Sequence, residues 1–185
     1  TNGKTTVSYL LTYAMHSLKR NSAFIGTLGN GLFGQIETSK TTTPDPAKLH
    51  SLFSLWENQV DFVAMEVSSH ALAQGRTEGT EFNTAVFTNL SRDHLDYHKT
   101  IDDYVSAKFS LFEKEGLENA VINIGNSYGA RLVEKLSTDI NIFAYSVKKS
   151  NLQFYKKEKI SFIFCEQIEV ESFTSKIIRV HSPWG

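Results

Sequence analysis

The chain has 185 residues, enough for one domain with small appendages and too few for a second large one. Hydrophobic residues make up 41% and charged residues 21%, which excludes a disordered chain, and a net charge of -1 excludes non-specific binding to nucleic acid or to an anionic membrane. The single cysteine, Cys165, excludes an internal disulfide, and with no long apolar run or secretion-type N-terminus the expected compartment is the cytoplasm.

Thr1-Asn2-Gly3-Lys4-Thr5-Thr6 opens the chain and runs into a helical apolar pattern through Val7, Leu10, Leu11, Ala14 and Leu18. This is the second half of a phosphate-binding loop. The pattern G-x-x-x-x-G-K-[ST] puts its first glycine ahead of residue 1, so the chain is expected to be a fragment, and the closing turn Ser182-Pro183-Trp184-Gly185 leads us to expect a longer parent protein. Residues 23–27 read as a strand and residues 29–36 as glycine-rich turns with a small hairpin. Pro44-Asp45-Pro46 starts a helix carrying Leu49, Leu52, Phe53 and Trp56. Apolar runs of strand length follow at residues 61–67, 84–88, 120–124 and 140–145, with helical patterns at residues 101–112 and 128–136 between them. Strands alternating with helices predict an α/β fold, a phosphate-loop-type parallel sheet flanked by helices. Residues 152–155, 160–165 and 176–180 alternate without helices and predict a small antiparallel sheet near the C-terminus. The basic run from Lys148-Lys149 to Lys156-Lys157 reads as a solvated hairpin edge.

In Gly3-Lys4-Thr5 the backbone N–H groups can cradle phosphates, the lysine can reach the β- and γ-phosphates, and the threonine hydroxyl can ligate Mg²⁺. Glu66 ends the strand Phe62-Val63-Ala64-Met65, where ligands of parallel sheets gather, and either holds a metal or pairs with a lysine. Past the next strand, Asp93-His94-Leu95-Asp96-Tyr97-His98 packs two histidines and two aspartates into six residues. His94 and His98 at i, i+4 lack a third ligand for zinc, and capping aspartates explain the composition equally well. The segment Ser68, Ser69, His70, Gln74 and Arg76 offers either an arginine clamp for an anion or simple helix capping. Lys108, on a helix whose apolar face is Tyr104, Val105, Leu111 and Phe112, reads by itself as a solvated lysine.

Five blocks in order, T-N-G-K-T-T at 1–6, T-T-T-P-D at 41–45, M-E-V-S-S-H-A-L at 65–72 with Q-G-R at 74–76, N-L-S-R-D-H-L-D-Y-H at 89–98 and Y-x-x-A-K-x-x-L-F at 104–112, make the chain resemble the central ATPase domain of the Mur ligases, most closely the MurE-type branch. The resemblance covers nearly the whole chain. It implies that residues 1–185 are the central ATP-binding domain truncated at both ends, with N-terminal uridine-binding and C-terminal amino-acid-binding domains absent. It implies ATP contacts from Thr1, Asn2, Gly3, Lys4, Thr5 and Thr6, a first Mg²⁺ at Thr5, and a second Mg²⁺ at Glu66 and His94 that Lys108 helps to bind. Lys108 is implied to be carbamylated, its neutral amine having captured CO₂, and Lys4, His94 and Lys108 to be catalytic. Thr42, Thr43, Ser68, Gln74 and Arg76 are implied to grip UDP-MurNAc-dipeptide.

The implied reaction is ATP-dependent amide formation in peptidoglycan synthesis, adding lysine or meso-diaminopimelate to UDP-MurNAc-L-Ala-D-Glu through an acyl phosphate. A monomer without nucleic-acid or membrane partners is expected, and the 185-residue segment alone is expected to be inactive as a ligase. Where family members often carry acidic residues, this chain has Asn123-Ile124-Gly125-Asn126. The alternatives are another Mur ligase, a folylpolyglutamate synthetase-like ligase, a phosphate-loop kinase or GTPase, and a non-catalytic nucleotide-binding module.

Overall fold

The computed structural model describes residues 1–147, 160–170 and 176–185. The expected strand at residues 152–155 and the basic run beginning at Lys148 lie outside them. The described chain divides into two compact units, the first comprising residues 1–80 and 93–110, the second residues 81–92 and 111–185.

In the first unit, helix α1 (Lys4–Ser17) follows the opening loop and packs on strands β1 (Ser22–Gly26) and β4 (Phe62–Met65). The hairpin β2 (Gly29–Leu32) and β3 (Gln35–Glu37) completes a sheet of order β3-β2-β1-β4. β1 and β4 run parallel, Ala23 beside Val63 and Ile25 beside Met65, while the hairpin strands are antiparallel. All five residues of β1 are buried, as a strand covered on both faces requires. Ala23 and Ile25 pack with Leu49, Leu52 and Trp56 of α2 (Pro46–Trp56), whose start is fixed by Pro46 and by the Asp45 carboxylate accepting from the Lys48 N–H at 2.9 Å. On the opposite face Phe24 meets the Tyr9 ring and Ser22 Oγ donates to Thr12 O.

That second contact changes the reading of α1. Its apolar pattern is largely exposed at Leu10, Leu11 and Leu18, and the residues it buries are the small Ser8 and Thr12, one turn apart. Their polar groups are satisfied locally, since Thr12 Oγ donates to Ser8 O at 2.8 Å, so helix and sheet can approach closely without an orphaned group. The short helices α3 (Ser69–Ala73) and α4 (Leu95–His98) both pack on α5 (Ile101–Phe109), which continues as a 3-10 turn, Ser110–Glu113.

In the second unit, β5 (Thr84–Phe87), β6 (Asn119–Asn123), β7 (Asn141–Ser146) and β8 (Ile160–Val170) run parallel in sequence order, and β9 (Lys176–His181) closes the sheet antiparallel to β8. The expected α/β architecture is present, with its parallel pairs divided between two sheets. The expected antiparallel pair is there as well, joined through β8 to the parallel strands. Helix α6 (Ser127–Lys135) lies on β6, and Gly129 allows it to approach the Asn123 carbonyl. Among the described residues no helix is long and apolar enough to cross a membrane.

Candidate active site

The carboxyl ends of β1 and β4 in the first unit open onto a cavity of about 490 Å³. Its walls are the phosphate loop, Thr27 after β1, the threonine loop at residues 41–43, and Glu66 after β4, with His70, Arg76 and His94 alongside. Gly3 caps α1 with φ of 82°, a left-handed conformation that glycine adopts without steric cost. The first turn of α1 contains no acidic residue, so its positive dipole end is free to meet an anion. Lys4 Nζ donates to the Thr1 carbonyl at 2.9 Å. Thr5 Oγ donates to Glu66 Oε2 at 2.8 Å, which joins the loop to the end of β4.

Glu66 is 1% exposed, an expensive place for a carboxylate. It accepts from Thr5, from the Thr27 N–H at 2.7 Å and from the Thr27 hydroxyl at 3.3 Å. Among the described residues no lysine or arginine forms an ion pair with it, so the lysine-pair alternative finds no support. A methyl group on Gly26 would overlap Glu66 Oε1, so the carboxylate sits in a cradle that only glycine leaves open. A buried carboxylate with three hydrogen-bond donors, no paired cation among the described residues and a cavity in front suits a divalent cation. Thr5 fits the same ion: having given its proton to Glu66, its oxygen keeps lone pairs for a metal.

Thr43 is buried, its hydroxyl donating to Glu66 O at 2.9 Å and accepting from the Ser68 N–H at 3.0 Å. Ser68 caps α3 by accepting from the Ala71 N–H at 3.1 Å, so the capping explanation for that segment holds. Arg76 Nη1 donates to Thr43 O at 2.9 Å while its Nε donates to Gln74 Oε1 at 2.8 Å, which holds the guanidinium at the cavity wall. Gln74 lies outside the lining and steadies Arg76 from behind, its Nε2 donating to Tyr97 Oη at 3.1 Å. Thr42 stays nearer solvent and contacts the Thr27 hydroxyl at 3.1 Å.

The histidine-rich segment folds against α3 and α5. His94 has φ of 53° at the start of α4, an uncommon value outside glycine, and the Asp93 carboxylate accepts its N–H at 2.9 Å. His98 turns inward and is buried, its Nε2 2.9 Å from Ser69 Oγ. Burial lowers the pKa of both His98 and His70, and neighbouring histidines push the same way. Among the described residues no three His, Cys, Asp or Glu side chains assemble as a metal site, so zinc at His94 and His98 gains no third ligand.

Tyr104, fully buried on α5, reaches the phosphate loop through a 2.9 Å contact between its hydroxyl and Thr1 Oγ. Lys108 Nζ lies 5.2 Å from the centre of the same ring. Burial pushes its pKa down to about 8, the Lys4 ammonium adds to the fall, and a hydrogen bond with the Thr1 amino group and then Asp93 partly offset it. The solvated lysine that helix position suggests is therefore half-buried beside a second cation. It does not itself line the cavity, nor does Thr6.

The cavity thus gathers Thr1, Asn2, Gly3, Lys4, Thr5, Thr42, Thr43, Glu66, Ser68, His70, Arg76 and His94 of the residues the sequence singled out. Thr27 was missed, although it follows a strand end as Glu66 does. Ser69 and Tyr104 gave no signal beyond a polar turn and an apolar helix face.

Fold and cavity together define a phosphate-loop α/β domain with a metal-suited carboxylate at a strand end. The model of the Mur ligase middle domain matches residues 1–184, and the chain belongs to that family. It is 44% identical over 159 residues to the UDP-N-acetylmuramoyl-L-alanyl-D-glutamate--2,6-diaminopimelate ligase of Pseudomonas aeruginosa, covering 85% of this chain and 32% of the relative. Against the ligase of the same name from Coxiella burnetii, identity is 37% over 188 residues, covering 100% of this chain and 37% of that one. A solved structure of a ligase so named superimposes with a TM-score of 0.84 at 31% identity, covering 100% of this chain and 36% of the other. The chain therefore spans about a third of the length of these relatives.

Proposed function

We propose that this chain is the ATP-binding part of a ligase that joins an amino acid to UDP-MurNAc-L-Ala-D-Glu in peptidoglycan synthesis, and that flanking domains of the parent protein supply uridine and amino-acid binding. The observation that carries the reading is Glu66: a buried carboxylate tied to the phosphate-loop threonine and facing the same cavity as Thr42 and Arg76. Of the two diamino acids left open by the sequence, the names of the relatives favour 2,6-diaminopimelate.

In this reading the loop amides, Lys4 and the amino end of α1 hold the ATP phosphates. Arg76, held in place by Thr43 O and Gln74, binds an anionic group of the dipeptide nucleotide. The acceptor carboxylate attacks the γ-phosphorus, ADP leaves, and the amine of the incoming amino acid then displaces phosphate from the acyl phosphate. Thr5, Glu66 and His94 would hold Mg²⁺, which supplies charge neutralisation between the two anionic reactants. Lys4 meets the charge that develops on the bridging oxygen.

Lys108 enters as a carbamate. Its neutral Nζ adds to the carbon of CO₂, a N–C bond forms, and one proton is released, leaving a carboxylate-like anion. Burial and Lys4 favour the neutral amine this step needs. The carbamate also relieves the juxtaposition of two cations.

The test is ADP release by the full-length parent protein with Mg-ATP and UDP-MurNAc-L-Ala-D-Glu, adding meso-diaminopimelate or lysine separately. Release that requires the dipeptide nucleotide and meso-diaminopimelate is the expected result. Release independent of any amine points instead to phosphoryl transfer and defeats the ligase reading.

A further inference from the structure

Thr27 stands between the two halves of the cavity. Its backbone N–H donates to Glu66 Oε1 at 2.7 Å, its hydroxyl lies 3.3 Å from Glu66 Oε2, and the same hydroxyl lies 3.1 Å from Thr42 Oγ. An ionised carboxylate only accepts, so the Thr27 hydroxyl donates its one proton to Glu66. The contact with Thr42 then has a single possible direction, with Thr42 donating and Thr27 accepting. Proton order therefore runs from Thr42 through Thr27 to Glu66, and Thr42 presents lone pairs to the cavity. Thr5 donates to the same Glu66 oxygen at 2.8 Å. The resulting chain of four side chains, Thr5, Glu66, Thr27 and Thr42, spans from the phosphate loop to the threonine loop.

We propose that Thr27 is a positioning residue that couples the metal-holding carboxylate to the acceptor-binding loop, so that the nucleotide-metal end and the dipeptide end of the cavity are set together. Thr27 lies in the cavity wall, yet its two polar groups are engaged by the protein and act through Glu66 and Thr42. A hydroxyl at this position is what the arrangement needs. Valine preserves the shape and the backbone N–H but breaks the chain, whereas serine preserves the chain. The inference rests on the ligase reading above, because it takes the dipeptide nucleotide as the ligand at Thr42.

Two binding measurements on the full-length parent protein test it, neither requiring turnover: Mn²⁺ binding to the ADP-loaded protein by electron paramagnetic resonance, and UDP-MurNAc-dipeptide binding by calorimetry. Thr27→Val is expected to weaken both by about tenfold, the scale of one hydrogen bond to a charged group, and Thr27→Ser to keep both within about twofold of wild type. If the valine protein does not fold by thermal melting, Thr27→Ala is measured in the same way, with the same expectation. Loss confined to one ligand, loss of neither, or failure of serine to rescue overturns the coupling. Wild-type protein that binds Mn-ADP but no dipeptide nucleotide defeats the ligase reading itself, and the coupling falls with it. A dipeptide complex that forms normally and ignores Thr27→Val removes the coupling alone.

Discussion

Replacing Gly26 with alanine would put a methyl group onto the Glu66 carboxylate and against the Phe24 ring. Both neighbours are buried, so neither can move aside freely. Gly26→Ala is expected to lower stability by about 1–3 kcal/mol in urea unfolding and to weaken Mg²⁺-dependent nucleotide binding at least roughly tenfold. An unchanged urea midpoint with intact Mg²⁺ dependence would show that the end of β1 yields more easily than its packing suggests. Lys108 makes a second residue-scale prediction, in pH. With a pKa of about 8 in place of 10.5, the amine is roughly one-tenth neutral at pH 7 and mostly neutral by about pH 9. The sign is set by the requirement for a neutral amine: carbamate formation rises with pH through about 8, well below the range in which an ordinary lysine responds. Carbon-13 NMR of the protein under a fixed pressure of labelled CO₂ reads this directly. Carbamate that appears only above about pH 10, or that persists in Lys108→Arg, counts against the assignment.

Helix α5 shows how an element carries such residues to the site. Thr100 caps it by accepting the Asp103 N–H at 3.1 Å and donating to the Asp103 carboxylate at 2.6 Å. Asp102 and Asp103 in the first turn match the dipole, and Tyr104 and Lys108, one turn apart, then face the phosphate loop. Thr100→Ala is expected to cost about 1 kcal/mol in urea unfolding, with amide exchange rising first at the start of α5. Protection unchanged along α5 would mean that its packing, with Tyr104, Val105 and Phe109 buried, holds the end without the cap. Elements of this kind were legible because their signals are local: Pro46 and Asp45 announce α2, and the apolar runs announce β4 to β7. Long-range partners were not. Nothing near Thr27 in sequence points to Glu66, 39 positions away, and nothing near Lys108 reveals that Lys4 will oppose its charge. Those facts arise when strand ends and loop are brought together, a step that periodicity does not encode. The outer face of α1 failed for a related reason, since Ser8 and Thr12 become core residues only because the sheet approaches them closely.

At the scale of the whole chain, each of the two units carries its own hydrogen-bonded sheet, and every residue in the chain from Thr5 to Thr42 belongs to the first. In the second, rows such as Ala85, Ala120 and Ile142 run across β5, β6 and β7 in register, all of them buried. A defect placed in that second core is therefore expected to remain local. Gly129 offers one, because a methyl group there would overlap the Asn123 carbonyl at the end of β6 and push α6 off the sheet. Gly129→Ala is expected to remove about 1–3 kcal/mol from the second unit and to raise hydrogen exchange in β6, β7 and α6. Exchange in β1 and β4 should stay as in wild type, and nucleotide affinity within about twofold. Equal loss of protection in both sheets would mean that the units unfold as one cooperative structure, and a stability defect anywhere in the chain would then reach the nucleotide cavity.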